Sequence, residues 1–203
     1  MDASELSVVI LAGGRSTRMG RDKAMIEITG VPLIRRIYDV VSTCVDLDRV
    51  YVVTPWSEQY RQVLPPSCKF ISEQQPTQGP LIAFSQALAQ IETTWVLLLA
   101  CDLPNLSASA IQSWIDSLPT IDSQSIAYLP RHVSKGWEPL CGFYRQICRE
   151  SAIEYINNDG RSFQGWLKMN AVTELVIADP LWLVNCNTPA DLAAITQNIW
   201  TGR

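Results

Sequence analysis

Apolar residues along the chain fall into short continuous runs, separated by segments in which they recur every three or four positions. Leu6–Ala12, apolar except for Ser7, is typical of a buried strand. Trp95–Ala100 is a continuous apolar run, a pattern typical of a central parallel strand that is covered on both faces. Pro32–Cys44 and Pro80–Ile91 instead place apolar residues along one face of a helix. This alternation predicts an α/β fold, because strands connected by helices form a parallel sheet between helical layers.

The same two patterns predict the remaining elements. The further strands are Arg49–Val53, Lys69–Ile71, Ser125–Leu129, Pro139–Tyr144, Ala171–Ile177 and Leu181–Val184, and the further helices are Glu58–Leu64, Ser107–Leu118, Gln146–Asn157, Ser162–Met169 and one beginning at Thr188-Pro189. No repeat or linker interrupts this order, so residues 1–203 are predicted to form one domain. We expect three layers around a mostly parallel central sheet, with the ligand site at the carboxyl ends of the strands.

Composition excludes several classes of protein. The formal net charge is -4, which argues against a nucleic-acid partner because phosphate backbones require a basic surface. The six cysteines form no C-x-x-C pair and only one histidine is present, so the spacing of zinc ligands is absent. The longest strongly apolar run, Trp95–Cys101, is too short to span a membrane, and the acidic start is not a signal peptide. We expect a cytoplasmic protein with reduced thiols.

The first predicted strand leads into Leu11–Lys23, which reads LAGGRSTRMGRDK and is called the cationic loop below. Its three glycines allow the backbone to approach a ligand closely, with amide groups turned toward it. Three arginines and a lysine lie within nine residues, a concentration of charge that suits a triphosphate. The loop matches neither G-x-x-x-x-G-K-[ST] nor G-x-G-x-x-G. Its alternative interpretation is a basic surface loop.

Two further segments place polar side chains at predicted strand ends. Asp102 directly follows the apolar strand Trp95–Ala100, where a carboxylate facing the cationic loop could hold Mg²⁺ against phosphates. Asn185 and Asn187 precede a helix start, where amides can bind a phosphate or a ligand hydroxyl. The alternatives are an Asp that begins a turn before Pro104 and ordinary helix capping.

Taken together, these motifs resemble the molybdenum cofactor guanylyltransferases. The cationic loop corresponds without a gap to the family pattern L-A-G-G-x-S-x-R-M-G-x-D-K. The other corresponding segments are QGPLIAF at 78–84, CDLP at 101–104, PLCGFY at 139–144 and NCNTPADL at 185–192. The motifs occur in the family order and span nearly the whole chain. The departures, Ile82-Ala83, Cys141-Gly142 and Ala190, remove no charge that the chemistry requires.

The resemblance implies a Rossmann-like nucleotidyltransferase fold and a reaction in which GTP and molybdopterin cofactor give the guanine dinucleotide cofactor and pyrophosphate. It implies Mg²⁺ as cofactor and GTP as co-substrate. By this resemblance Lys23, Asp102 and Arg18 are catalytic, Asp102 binds the metal, and the nucleotide contacts are Leu11, Ala12, Gly13, Gly14, Arg15, Lys23, Thr54 and Glu73. Asn185 and Asn187 lie near the second substrate or the metal.

The resemblance also gives expectations about the acceptor and about partners. Arg161 is a candidate contact for the pterin phosphate, and Trp137, Trp166 and Trp182 are candidates for a wall that stacks on the pterin, although packing residues are the commoner case for tryptophan. Other proteins of molybdenum cofactor biosynthesis and apo-molybdoenzymes are expected partners. We expect a monomer that binds no nucleic acid and no membrane.

Three other functions compete with this one. A related nucleotidyltransferase would use CTP with the same pterin, or act on a sugar or alditol phosphate; Gly13-Gly14 argues against the first, because related cytidylyltransferases tend to read L-A-A-G. A non-catalytic GTP-binding maturation factor is expected to lack Lys23 or Asp102, and both are present. An RNA-binding module would need a basic face with interleaved aromatic residues, whereas the seven tryptophans are scattered.

Overall fold

The computed structural model describes residues 5–13, 22–74, 78–132, 134–188 and 190–195. Within these residues, the strands are β1 (Leu6–Leu11), β2 (Glu27–Ile28), β3 (Val31–Pro32), β4 (Val50–Thr54), β5 (Lys69–Ser72), β6 (Trp95–Ala100), β7 (Ala127–Leu129), β8 (Arg131–His132), β9 (Gly136–Trp137), β10 (Cys141–Arg145) and β11 (Val172–Glu174). The helices are α1 (Leu33–Val41), α2 (Ser57–Tyr60), α3 (Pro80–Leu88), α4 (Ala108–Ser117), α5 (Cys148–Asn157) and α6 (Phe163–Leu167), and residues 190–195 are also helical.

Seven of the described strands form a central sheet in the order β11-β7-β10-β6-β1-β4-β5. The strand β1 lies between β6 and β4 and is parallel to both, with Leu11 opposite Ala100 and Val53. Only β10 runs antiparallel to its two neighbours, β6 and β7, within this sheet. The prediction of a mostly parallel sheet is therefore confirmed.

The sheet is covered on both faces, which confirms the three predicted layers. Along β1, Val8 and Ile10 belong to one buried cluster, together with residues of α1 and α4. Val9 belongs to a second cluster, together with residues of α3, α5 and α6. Successive side chains of a strand point to opposite faces, so a strand covered on both sides is expected to be largely apolar. This explains why β6 is apolar throughout and why β1 is apolar except for the buried Ser7.

Gly142 explains one departure from the family pattern. A Cβ at this position of β10 would lie 2.7 Å from the carbonyl oxygen of Tyr128 and 2.7 Å from Cδ2 of Leu129. Both atoms belong to the neighbouring strand β7, which pairs with β10. The close approach of the two strands therefore requires glycine here.

Several predicted elements differ from the structure. The predicted strand Leu181–Val184 is wrong, since Pro180–Leu183 form a 3₁₀ turn whose start is capped by Asp179, with the Leu181 amide donating to Oδ1 at 2.9 Å. The predicted strand Ala171–Ile177 is shortened to β11, and the predicted helix Glu58–Leu64 to the single turn α2. The hairpins β2–β3 and β8–β9 were not predicted.

Among the described residues, no helix combines the length and the apolar character needed to cross a membrane.

Candidate active site

The predicted site lies where the adjacent parallel strands β1 and β6 end. Leu11 and Ala100 are register partners at this edge, so Ala12 and Gly13 leave β1 beside the point where Cys101 and Asp102 leave β6. The amide of Ala12 still donates to the carbonyl of Val53 at the end of β4, at 3.0 Å. The carboxyl edge of a parallel sheet is where α/β folds bind ligands.

Lys23 connects the cationic loop to the two other predicted motifs. Its ammonium group forms an ion pair with Oδ2 of Asp102 and donates to Oδ1 of Asn187 at 2.5 Å. The Lys23 and Asp102 side chains are only 14% and 15% exposed, so their interaction is screened less than that of a surface pair. Three motifs that are far apart in sequence thus contribute one side chain each to a single polar cluster.

The C-terminal segment that carries Asn187 is anchored next to Asp102. The amide of Cys186 donates to the carbonyl of Asp102 at 3.0 Å, and the Cys186 side chain is buried in a small cluster with Ile26, Ile28 and Leu33. These contacts hold the polypeptide on both sides of Cys186 close to β6. Asn185 and Asn187 are exposed. The Asn187 oxygen already accepts from Lys23, so the groups left to a ligand are the Asn187 NH₂ group and the Asn185 amide.

Asp191 fixes the backbone that follows. Its Oδ2 accepts from the amides of Asn187 at 2.9 Å and Thr188 at 2.8 Å, and its own amide donates to the Thr188 hydroxyl at 3.1 Å. This reciprocal arrangement is a capping box at the start of the helix at 190–195. The hydrogen bond from the Asn187 amide, followed by that from the Thr188 side chain, lowers the pKa of Asp191.

A cavity of about 320 Å³ opens beside this cluster. Its described walls are formed by Leu11, Ala12, Gly13, Asp22, Lys23, Ala24, Val53, Glu73, Gly79, Pro80, Ala83, Ala100, Cys101, Asp102 and Leu140. The volume lies within the range of small-molecule sites, about 300–1,000 Å³. An apolar interior that ends in Lys23 and Asp102 suits a flat heterocycle joined to a phosphate group.

Glu73 is one of three acidic residues in the described walls of this cavity, together with Asp22 and Asp102. It follows β5, is 8% exposed, and packs against the backbone of Gly13 so closely that a Cβ there would lie 2.0 Å from its Oε2. Burial raises the pKa of the carboxyl above its ordinary value. A desolvated carboxylate in this position is a strong acceptor for the N–H groups of a ligand.

Asp102 has a second oxygen that its lysine partner does not use. Oδ1 is buried and has no hydrogen-bond partner among the described residues. Buried carboxylate oxygens are normally paired, so such an orphaned atom calls for an explanation. Within the same residues, no group of three or more histidine, cysteine, aspartate or glutamate side chains is placed to hold a metal ion.

The other predicted residues have different positions. Gly14, Arg15 and Arg18 lie outside the described residues. Thr54 is buried, its hydroxyl accepts from the Trp56 amide at 3.0 Å, and it is absent from the described cavity walls.

The candidates for the acceptor site are mostly engaged elsewhere. Arg161 donates to the carbonyls of Ile156 and Gly160 at 2.9 and 2.8 Å. Trp166 is 1% exposed and belongs to the core, and Trp182 packs edge-on against Trp114. Trp137 is half-buried on the β8–β9 hairpin, with the Arg131 guanidinium 5.3 Å from its ring centre. Trp137 and Trp182 are thus both partly exposed, whereas Trp166 is buried.

Several cavity residues lie in the motifs quoted above but were not predicted as ligand contacts. Gly79 and Pro80 begin α3, with Gly79 at φ 95°, a conformation that favours glycine. Asp22 precedes Lys23 and caps the 3₁₀ turn Lys23–Met25, accepting from the Ala24 amide at 3.0 Å. A Gly-Pro pair before an apolar helix, and an Asp before a short turn, are the sequence signals that would have indicated both.

With this geometry in place, comparison with known proteins identifies the family. The family model of the MobA-like NTP transferase domain matches residues 8–172. The chain belongs to this family. The resemblance drawn from the motifs is thereby confirmed, as is the expectation of a nucleotidyltransferase fold.

Two curated relatives show how far the similarity extends. A probable molybdenum cofactor guanylyltransferase of Trichormus variabilis is 50% identical over 192 residues, which cover 95% of this chain and 91% of the relative. A protein of the same name in Synechococcus elongatus is 41% identical over 191 residues, 93% of this chain and 97% of the relative. The similarity therefore includes the cationic loop, Asp102 and most of the C-terminal segment.

Solved structures agree on the fold. Molybdopterin-guanine dinucleotide biosynthesis protein A from Archaeoglobus fulgidus matches with a TM-score of 0.78 at 19% identity, covering 97% of this chain and 100% of that one. A nucleotidyl transferase from Methanothermobacter matches with a TM-score of 0.74 at 17% identity, covering 98% and 99%. At this level of identity the comparison bears on the arrangement of the elements alone.

Proposed function

We propose that the chain is a molybdenum cofactor guanylyltransferase, which transfers GMP from GTP to molybdopterin cofactor and releases pyrophosphate. The observation that carries this proposal is the meeting of Lys23, Asp102 and Asn187 beside a cavity of nucleoside size. The names of the curated relatives support the choice of nucleotide and acceptor.

The reaction is a substitution at phosphorus. The terminal phosphate of the pterin cofactor attacks the α-phosphorus of GTP, a new P–O bond forms, and the bond to the departing pyrophosphate breaks. Such a transfer depends on in-line positioning and on neutralising negative charge rather than on a covalent intermediate with the protein. Lys23 supplies a positive charge at the cavity wall, where it neutralises the charge that develops on the transferred phosphoryl group.

The residues present fit a magnesium ion. The orphaned Oδ1 of Asp102 offers the hard carboxylate oxygen that Mg²⁺ prefers, and Mg²⁺ commonly takes one or two carboxylates together with substrate phosphates and water. A bound ion would add positive charge on the phosphates of GTP. Asp102 would hold it, and Lys23 would exchange part of its contact with Asp102 for contact with phosphate oxygens.

The cavity favours a guanine base. Guanine presents an N1–H and an N2–H₂ donor on one edge, and the buried Glu73 carboxylate offers two acceptor oxygens. Cytosine lacks two adjacent donors on its pairing edge, so the same carboxylate would face an acceptor there. Because Gly13 has no Cβ, the Glu73 carboxylate can lie against its backbone. Gly14, Arg15 and Arg18 are proposed to complete the phosphate contacts, as the family pattern implies.

The acceptor and the cellular setting complete the proposal. Asn185 and Asn187, which are exposed beside the Lys23–Asp102 pair, are proposed to contact the second substrate, and Trp137 of the β8–β9 hairpin is proposed to stack on the pterin. We propose that the protein works in the cytoplasm as a monomer, and that it passes its product to apo-molybdoenzymes or other cofactor-biosynthesis proteins.

Calorimetric titration with GTP, CTP and ATP, each with Mg²⁺, tests the choice of base. GTP is expected to bind most tightly. Glu73→Ala should weaken GTP binding more than it weakens CTP binding, so that the preference for GTP falls. Glu92→Ala, an exposed change on a loop before β6, is the matched control. Tighter binding of CTP than of GTP by the parent protein would refute the guanylyl assignment.

The variant Asp102→Asn tests the catalytic carboxylate. It keeps the shape of the side chain but removes its charge, so pyrophosphate release should be abolished while the circular-dichroism spectrum is unchanged. Asp116→Asn, an exposed substitution on α4, should retain full turnover. Retention of full turnover by Asp102→Asn would contradict the role in metal binding and transfer.

A further inference from the structure

The short helix α2 ends at Tyr60, whose side chain is completely buried in the same core cluster as Ala12 and Ala24. Its hydroxyl lies 2.9 Å from Oδ2 of Asp22 and 3.1 Å from the carbonyl oxygen of Ala12. A tyrosine hydroxyl has one proton, so these two acceptors share it. Ala12 and Asp22 each lie one residue in from an end of the cationic loop. One buried hydroxyl therefore ties the two ends of the loop together.

The contact continues from Asp22 to Lys23. The other oxygen of Asp22, Oδ1, accepts from the Ala24 amide at 3.0 Å and so caps the turn that begins at Lys23. Oδ2 also accepts from Nε2 of Gln59, at 3.2 Å. With both oxygens held, the carboxylate orients the turn, and the turn orients the lysine toward Asp102 and Asn187.

The surroundings of Tyr60 keep its hydroxyl in the donor form. Burial, and after it the charge of Asp22, raise the pKa of Tyr60 well above its ordinary value. A buried hydroxyl without a partner would be costly, and the two acceptors remove that cost. Because a well-packed core allows little displacement, the packing of the Tyr60 ring fixes the position of its hydroxyl relative to Ala12 and Asp22.

We propose that Tyr60 is a positioning residue of the transferase site, which holds both ends of the cationic loop and thereby directs Lys23 toward the triphosphate. This inference rests on the role proposed above for Lys23. The residue is proposed to act through Asp22 and Lys23 rather than by contact with a substrate. It lies on α2, outside every motif that carries the family resemblance.

A double-mutant cycle between Tyr60→Phe and Lys23→Ala tests the inference, with kcat/KM for GTP, calorimetric GTP affinity and urea unfolding measured for each protein. In the parent background, Tyr60→Phe should lower kcat/KM roughly ten-fold, since a small misplacement of a catalytic group has a large effect on rate. In the Lys23→Ala background it should change kcat/KM less than about two-fold, because the group that it positions is gone. Any loss of stability should be the same in both backgrounds.

Tyr38→Phe is the matched control. Tyr38 is a buried tyrosine of the same core cluster, and its hydroxyl makes no hydrogen bond to Ala12, Asp22 or Lys23 in the part of the chain that the structure describes. This variant should leave kcat/KM unchanged. If Tyr60→Phe fails to fold, Gln59→Ala removes the exposed contact to the same carboxylate. Gln59→Ala should then lower kcat/KM by less than the ten-fold expected for Tyr60→Phe, and this loss should disappear in the Lys23→Ala background.

Two results would overturn the inference, and they differ in meaning. If Lys23→Ala lowers turnover and GTP affinity but the effect of Tyr60→Phe is equal in both backgrounds, positioning is wrong while the proposed function stands. If Lys23→Ala changes neither quantity, the role proposed for Lys23 is wrong and the inference fails with it.

Discussion

At the scale of single residues, the contact between Gly13 and Glu73 has the clearest consequence. The atom that a new Cβ at Gly13 would meet, at 2.0 Å, is the terminal oxygen of Glu73. A side-chain end can move where backbone cannot, so the collision would displace the carboxylate rather than the strand. The glycine is therefore required by the position of the carboxylate, in addition to any space that a purine needs.

Gly13→Ala should consequently weaken GTP binding roughly ten- to hundred-fold, the effect of losing a hydrogen bond to a charged group. The urea midpoint should change little. Calorimetry on the variant measures the GTP affinity. Gly165→Ala is the control, because its Cβ would lie 2.2 Å from the Tyr155 hydroxyl, and neither residue lines the cavity. An alanine variant that bound GTP as tightly as the parent would contradict the role of Glu73.

Glu73 also predicts how stability depends on pH. Its pKa is raised above 4.5 by burial, so the folded chain binds the proton more tightly than the unfolded chain. Its contribution to stability is therefore complete below 4.5 and is lost as the pH rises through the folded-state pKa. Glu73→Gln should be more stable than the parent at pH 8, and the difference should shrink toward pH 4.5.

Urea unfolding at several pH values measures this difference, with the exposed Glu92→Gln as control. A Glu73→Gln variant that was less stable than the parent at pH 8 would show that the carboxylate is stabilised in the folded chain. GTP affinity should fall in the same variant, since functional sites commonly sacrifice stability.

The residues of the site could be predicted from sequence to different degrees. Lys23, Asp102 and Asn187 are charged or polar residues in short motifs at strand ends, and their positions follow from topology. Tyr60 has no such signal, because a tyrosine in an amphipathic turn looks like any core residue until the fold places its hydroxyl. The engagement of Arg161 by its own turn also depends on local backbone geometry that spacing does not reveal.

At the scale of elements, the capping box at the C-terminal segment controls where Asn187 points. Asp191→Ala removes the acceptor of the Asn187 and Thr188 amides, so kcat/KM should fall roughly five-fold, in line with the loss of a helix cap. Asp179→Ala removes a similar cap, at the 3₁₀ turn Pro180–Leu183, and should leave kcat/KM unchanged. Steady-state kinetics on both variants tests this. Equal losses would mean that the effect is general destabilisation.

Long apolar strands and amphipathic helices were predicted well because their burial imposes a periodic pattern. The 3₁₀ turn at 180–183 has the apolar residues of a strand, and its Asp179-Pro180 start is the feature that decides the conformation. The hairpins β2–β3 and β8–β9 contain two residues in each strand, too few for any periodicity. Gly30, with φ of 79°, lies in the turn between β2 and β3, and Gly136, with φ of 82°, is the first residue of β9.

At the scale of the whole molecule, all six cysteines are free, and burial raises the pKa of each thiol, to about 12 for Cys68. Thiolates are the reactive form, so the native protein should react slowly with Ellman's reagent at pH 7. Because unfolding exposes the buried thiols, the extent of cysteine labelling should then measure the fraction of unfolded protein. If residues 1–203 form one domain, Cys44 and Cys148 should become reactive at the same urea concentration.

Mass spectrometry of labelled peptides resolves the individual cysteines. Separate transitions for the two halves of the chain would contradict a single cooperative domain.

The hydrogen bond between Lys23 and Asn187 joins residues that are 164 positions apart. During synthesis, the lysine leaves the ribosome long before the asparagine exists, and closing so long a loop is a late event in folding. The candidate site is therefore expected to be completed late in folding, and a chain that ends before Asn187 lacks one of the side chains proposed to form it. Pulsed thiol labelling during refolding should accordingly find Cys186 protected after Cys101.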